Sequence, residues 1–557
     1  MTKFTQRLHG LGRQGWLSAL VVGAIAPLFI ATAGQAAEHL SFFLGPLQRS
    51  VRVDSLEKFA VDGTIEEDLR FYLSPVNQER QAEFRQVLQQ RFEIDPIQLS
   101  RVFNTPIGEE ILALIGTAIN LPSGGNGKFG LRAALVLAAL EPDGLTILNL
   151  LQQFPTDIRL SAGRVLILAL ALEQVIDTTN ELIGEVSQFS AMGASTEPQV
   201  DFSALPDIRQ PGQFGVEQRT LNLTDVSRNR QFRVLIYQPQ RWRAGKTPVV
   251  VMSHGLASNP EDRGKRAAHL TSYGYVVAVP QHPGSDTIQI QNLLAGFTRE
   301  VFALNEFIDR PADISYVIDE LERRNQSEFG DRLDLENVGL FGHSFGGYTV
   351  LALAGAEIDF ENLEADCNRT TYLNISLLLQ CRALELPRQN YSFRDQRVKA
   401  VIGVNPVNNS IFGPRGLRQV QIPTALGAGS LDPATPAIYE QLQSFPWLQT
   451  SEKYLAVIEG QAHVDFSQLD AGITSMLDAF ENLTLPSPDL IDSYGNAITL
   501  SFFEIHIANN PDYRPYLHAT YAAHISQDPF NFYLLSAEEE DELTQALKEA
   551  GLLTNIN

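Results

Sequence analysis

Six residues, Gly342-His343-Ser344-Phe345-Gly346-Gly347, sit between a β-type run, Val338-Gly339-Leu340-Phe341, and a helical one, Tyr348 to Ala354. A serine on so tight a turn between strand and helix projects its hydroxyl toward substrate. Side chains two positions either side of it would collide, which is why glycines flank it. A serine hydroxyl is a poor nucleophile until a base takes its proton, so a histidine and a carboxylate that orients it are required. At a strand–turn–helix serine of this kind the chain order is serine, acid, histidine. Of the ten histidines, His463 follows the β-type run Tyr454–Ile458 after one short turn, Glu459-Gly460-Gln461-Ala462. His506, His518 and His524 lie in the C-terminal region and fit the position less well. For the acid, Asp432 stands just past the run 422–428, within Gly427-Ala428-Gly429-Ser430-Leu431-Asp432-Pro433, between Ser344 and His463.

The oxyanion that forms when such a serine attacks a carbonyl needs two preorganised N–H donors. One is the Phe345 amide, directly after the nucleophile. The other is expected from the loop after an earlier strand. Val249-Val250-Val251-Met252-Ser253-His254-Gly255-Leu256 supplies both strand and loop, and makes the Leu256 amide the second donor. His254 is read as shaping that loop, not as a base.

The elements that must position these groups follow from hydrophobic periodicity. β-type runs at 217–224, 231–238, 248–253, 275–280, 337–342, 399–405, 422–428 and 453–458 alternate with helical segments. That alternation predicts an α/β domain with a doubly wound, mostly parallel sheet covered on both faces. One helix is marked by Pro311 at its start and Ile314, Val317, Ile318 and Leu321 on one face. From about residue 38 to 195 the pattern is mainly helical. Thr64-Ile65-Glu66-Glu67 matches a capping box, and helices are expected around 131–140, 143–153 and 161–176. The expected organisation is a signal peptide over 1–36, a helical domain over 37–195 and a Pro/Ser/Gly-rich linker over 196–215. A catalytic domain over 216–485 and a C-terminal extension over 486–557, packing on it, complete the chain.

The signal peptide rests on Lys3, Arg7 and Arg13, the apolar run Trp16 to Thr32 and the small-residue exits Ala31-Thr32-Ala33 and Gly34-Gln35-Ala36. A retained membrane anchor is the alternative, since the run nearly spans a bilayer. No later segment is long and uncharged enough to span: Leu131 to Leu151 is interrupted by Glu141, Pro142 and Asp143. The mature chain is therefore expected to be exported, periplasmic or extracellular. There Cys367 and Cys381, fourteen positions apart, would pair. Two cysteines cannot build a Cys-rich metal site. Lys and Arg number 42 against 65 Asp and Glu. That imbalance leaves no basic face for a nucleic-acid backbone and disfavours electrostatic docking on anionic lipid.

At these motifs the chain resembles the α/β-hydrolase superfamily. Ser253-His254-Gly255-Leu256 and the 342–347 turn look most like esterases of the platelet-activating-factor acetylhydrolase type, a resemblance covering roughly residues 215–480. The helical region ahead of it is similar to an N-terminal domain of unknown function found before such hydrolases in cyanobacteria. The resemblance implies hydrolysis of carboxylic esters, short-chain or lipid, through an acyl-enzyme, with no metal or organic cofactor. In the animal acetylhydrolases the acid follows the strand immediately after the nucleophile. Here that segment reads Gly403-Val404-Asn405-Pro406. An amide at Asn405 cannot balance an imidazolium, so Asp432 on the following strand is the expected acid. Ile288 to Phe297 is read as part of an acyl pocket or lid, or as an amphipathic covering helix with no substrate role. Two other functions fit the same residues. One is an acyltransferase using the same serine, aspartate and histidine. The other is a silent hydrolase scaffold acting as an envelope binding protein, with the partner of the helical domain left open.

Overall fold

The computed structural model describes residues 36–44, 47–369, 373–463 and 485–553. The expected signal peptide thus lies, but for Ala36, outside the described residues. The chain divides into two compact units, residues 1–103 with 108–166, and residues 104–107 with 167–557.

The first unit is rich in helices, as its period suggests, and adds a small sheet that the hydrophobic pattern did not announce. Its strands are β1 (His39–Leu44), β2 (Leu47–Arg52), β3 (Ile119–Asn120) and β4 (Ile158–Ser161), in the order β2-β1-β4-β3. β1 and β4 are 118 residues apart at their first paired residues, Leu40 and Ile158, and a window-based reading cannot see such a pairing. Helices Val53–Asp62, Gln78–Gln89 and Lys128–Ala139 close over a core that includes Leu56, Phe59, Leu88, Leu131 and Phe154. The Thr64 capping box does not form. Helix Glu67–Leu73 starts at Glu66 without a side-chain cap, while the Thr64 amide donates to Asp62 Oδ1 at 2.8 Å. The helix expected near 161–176 is far longer, Ala162–Thr196.

The second unit is built on a nine-stranded sheet. Its strands are β5 (Val216–Asp225), β6 (Arg230–Pro239), β7 (Thr247–Ser253), β8 (Val276–Pro280), β9 (Leu333–His343), β10 (Val398–Val404), β11 (Thr424–Gly429), β12 (Lys453–Ile458) and β13 (Phe532–Leu535). The spatial order is β13-β12-β11-β10-β9-β7-β8-β6-β5. β8, β7, β9, β10, β11 and β12 are mutually parallel, and β5, β6 and β13 are antiparallel additions. The parallel strands are apolar almost throughout because both faces are covered. Along β7, Val249 and Val251 enter one core while Val250 and Met252 enter the other, the period of two expected of a pleated strand.

Helix Glu306–Phe329 covers the first face with Ile314, Val317, Ile318 and Leu321. It begins one and a half turns earlier than its proline suggested, so Pro311 lies inside it. At the sixth position of the helix Pro311 leaves the Phe307 carbonyl without its intrahelical donor, and Tyr348 Oη donates to that carbonyl at 2.8 Å instead. The second face is covered by helices Gly264–Ser272 and Pro488–His506. The residues after 485 thus supply a covering helix and also the edge strand β13. The stretch 196–215 is held along this unit: Tyr516 Oη donates to the Pro206 carbonyl at 2.7 Å, and Ile208 is buried.

The chain runs from β7 to β8 on one side, then crosses back to β9 on the other. The reversal leaves a crevice at the carboxyl ends of β7 and β9, where ligands bind in open α/β sheets. Ser253 ends β7 and His343 ends β9.

Candidate active site

Ser344 is the one residue between β9 and helix Phe345–Ala354. Its backbone is at φ 58°, ψ −120°, a conformation that L residues rarely adopt. The turn is held by the Ser344 amide donating to the Val404 carbonyl at 3.0 Å and the Gly347 amide donating to the Ser344 carbonyl at 2.8 Å. Two glycines make the closeness feasible. A Cβ on Gly342 would stand 2.0 Å from the Gly346 carbonyl oxygen, and one on Gly346 2.3 Å from that of Ser253. Only hydrogen fits at either position.

His463 and Asp432 come from the loops after β12 and β11. His463 Nε2 is 2.8 Å from Ser344 Oγ, and Nδ1 is 2.7 Å from Asp432 Oδ2. The carboxylate only accepts, so Nδ1 carries the proton and Nε2 presents a lone pair to the serine hydroxyl. The Asp432 side chain is fully buried and that of His463 is 16% exposed. Thr435 anchors the acid: its hydroxyl donates to Oδ2 at 2.7 Å, while the amides of Ala434 and Thr435 donate to Oδ1, each at 2.9 Å. The loop after β7 runs against the serine, since a Cβ on Gly255 would stand 3.2 Å from Ser344 Cβ. Among the described residues, no backbone acceptor is paired with the amides of Leu256 or Phe345.

Residues 36–161 match the family model described as alpha/beta hydrolase of unknown function (DUF1400), and residues 204–367 match that of chlorophyllase. The chain belongs to the α/β-hydrolase superfamily. No curated protein matches it. The chlorophyllase match takes in the Gly255 loop and Ser344 and stops before Asp432 and His463. Those two residues rest on geometry alone.

This α/β-hydrolase adds contacts that motif spacing did not suggest. His343, directly before the nucleophile, donates from Nε2 to the His463 carbonyl at 3.0 Å and ties base to nucleophile turn. Burial, then the neighbouring His463, holds the His343 imidazole well below the usual range, so it stays neutral. Thr435 had a readable signal, since Asp-x-x-Thr is the pattern of an Asp-capped turn; His343 had none. Asn405 is buried at φ 43° and accepts from the Gly429 amide at 3.1 Å, bracing the start of the β11 loop. His506 packs on Phe502 and Tyr454, and His524 on Phe202. Cys367 and Cys381 form a disulfide. Helix Thr287–Ala295 buries Leu293 and leaves Ile288 half exposed.

Proposed function

We propose that the protein is an exported serine hydrolase that cleaves carboxylic esters, short-chain or lipid, through a covalent acyl-enzyme. The observation that carries this reading is the unbroken hydrogen-bonded chain Ser344 Oγ–His463 Nε2, His463 Nδ1–Asp432 Oδ2, at 2.8 and 2.7 Å. Ser344 attacks the ester carbonyl as its proton passes to His463 Nε2. Asp432 holds the tautomer and balances the imidazolium. The oxyanion is received by the Leu256 and Phe345 amides, each such donor being worth about 10²–10³-fold in rate. His463 then returns the proton to the departing alkoxide. A water activated by the same imidazole attacks the acyl-enzyme and releases the carboxylic acid and free Ser344.

Two features support export: the basic, apolar, small-residue order of residues 1–36 and the Cys367–Cys381 disulfide, which suits an oxidising compartment. Among the described residues, no helix is long and apolar enough to cross a membrane.

The test is initial rates on p-nitrophenyl esters from acetate to palmitate, with fluorophosphonate labelling. Turnover and labelling that both vanish in Ser344→Ala are expected, and the chain-length optimum defines the acyl class. A folded wild-type protein that neither turns over nor labels overturns the proposal in favour of a silent scaffold.

A further inference from the structure

Beneath the Gly255 loop lies a second serine–histidine–aspartate chain. In phase with Val249 and Val251 on β7, Ser253 points to the sheet face covered by helix Glu306–Phe329. Its Oγ is 3.0 Å from His282 Nε2, and His282 Nδ1 is 3.0 Å from Asp313 Oδ2. All three side chains are fully buried, so no substrate reaches them. The carboxylate accepts from Nδ1, leaving Nε2 to accept the Ser253 hydroxyl. The His282 amide donates in turn to His254 Nε2 at 3.2 Å, which puts the proton of His254 on Nδ1, donating to the Gly255 carbonyl at 2.8 Å. Arg310 donates to the His254 carbonyl and lies over the Phe345 ring at 4.6 Å. On the far side, the Ala257 amide donates to the Ser285 carbonyl at 2.8 Å. Side-chain and backbone bonds thus hold Ser253, His254, Gly255 and Ala257, and between them stands Leu256, whose amide has no backbone acceptor among the described residues.

We propose that the buried Ser253–His282–Asp313 chain, acting through His254 and Arg310, is a positioning device that sets the Leu256 amide against Ser344. The proposal rests on the reading of Ser344 as nucleophile. Burial, then the Arg310 charge, holds both His254 and His282 well below the usual imidazole range. Both stay neutral, so each keeps the single tautomer that the chain of bonds requires. These residues never touch substrate; they fix where an N–H points. An oxyanion donor contributes only if it is already aimed when charge develops.

The test compares His282→Gln and Ser253→Ala with wild type, measuring kcat and KM on a p-nitrophenyl ester and the inhibition constant of a trifluoromethyl ketone. Ser344 adds to that ketone, and the resulting hemiketal oxyanion sits where the ester oxyanion would. His282→Gln is expected to lower kcat about 10–100-fold with KM within about twofold. The ketone should weaken by the same factor. Ser253→Ala should move both in the same direction by less, and it carries the comparison alone should His282→Gln not fold. Folded variants at wild-type kcat and ketone affinity overturn the positioning role, as does a loss confined to KM. A wild-type rate in Ser344→Ala would instead overturn the nucleophile assignment itself.

Discussion

The second unit contains two serine–histidine–aspartate chains with the same bonding order. Ser344–His463–Asp432 spans 2.8 and 2.7 Å, and Ser253–His282–Asp313 spans 3.0 and 3.0 Å. What separates them is placement. Ser344 stands beyond a strand end on a strained φ of 58°, and its histidine is 16% exposed. Ser253 is still within β7, and its histidine is sealed under helix Glu306–Phe329, which itself carries the fully buried Asp313. The aspartates differ too. Asp432 takes its remaining bonds from amides and the Thr435 hydroxyl, whereas Asp313 faces the Arg228 and Arg230 guanidiniums. A hydrogen-bonded triad is therefore not itself a catalyst. Access and a backbone that aims the oxygen outward decide which of the two can be one.

The widest separation is expected from the serines. Ser344→Ala should cost about 10⁶-fold in kcat, while Ser253→Ala costs less than about tenfold; comparable losses would break the distinction. Next come the acids. Asp432→Asn should lower kcat about 10⁴-fold with the fold retained. Asp313→Asn takes one carboxylate from two part-buried arginines, which keep Asp225, Asp309 and Glu306, and should cost about 1–3 kcal/mol of stability in a denaturant titration. Mapping the peptide labelled by a fluorophosphonate sharpens the access argument: modification belongs on Ser344, and any on Ser253 would show that the lower chain opens.

The smallest effect concerns pH. Burial pushes Glu306, beside Arg230 in the sealed cluster, up to about 7. Its folded value lies above its unfolded one, so its contribution to stability is present at acid pH and lost as pH rises through about 7. Glu306→Gln lacks that loss, so relative to wild type it should gain stability between about pH 5 and about pH 8. A pH-independent difference would count against it.

The eight β-type runs read from periodicity correspond to β5 through β12, shifted by a few residues at their ends; the parallel ones were legible because strands buried on both faces have to be apolar. Ser344, Asp432 and His463 were legible because each stands just past such a run, where an open sheet gathers its reactive groups. β13 escaped notice because Phe532–Leu535 is short and its partner β12 lies far back in the chain. β3 and β4, two and four residues long, escaped for the same reason. The length of helix Ala162–Thr196 was missed because nothing in its composition demands an end near 176.

By itself the sequence determined eight of the nine strands of the large sheet, that this sheet is mostly parallel, and which serine is forced onto a turn, since these depend on local sterics and on the burial period of each segment. Tertiary structure alone decided that His282 meets Ser253 and that this pair is sealed from solvent. His282 and His463 each follow a parallel strand, and no local rule separates them. The strand order does: it carries β12 and β11 to the open carboxyl edge beside Ser344 and buries the end of β8 beneath helix Glu306–Phe329.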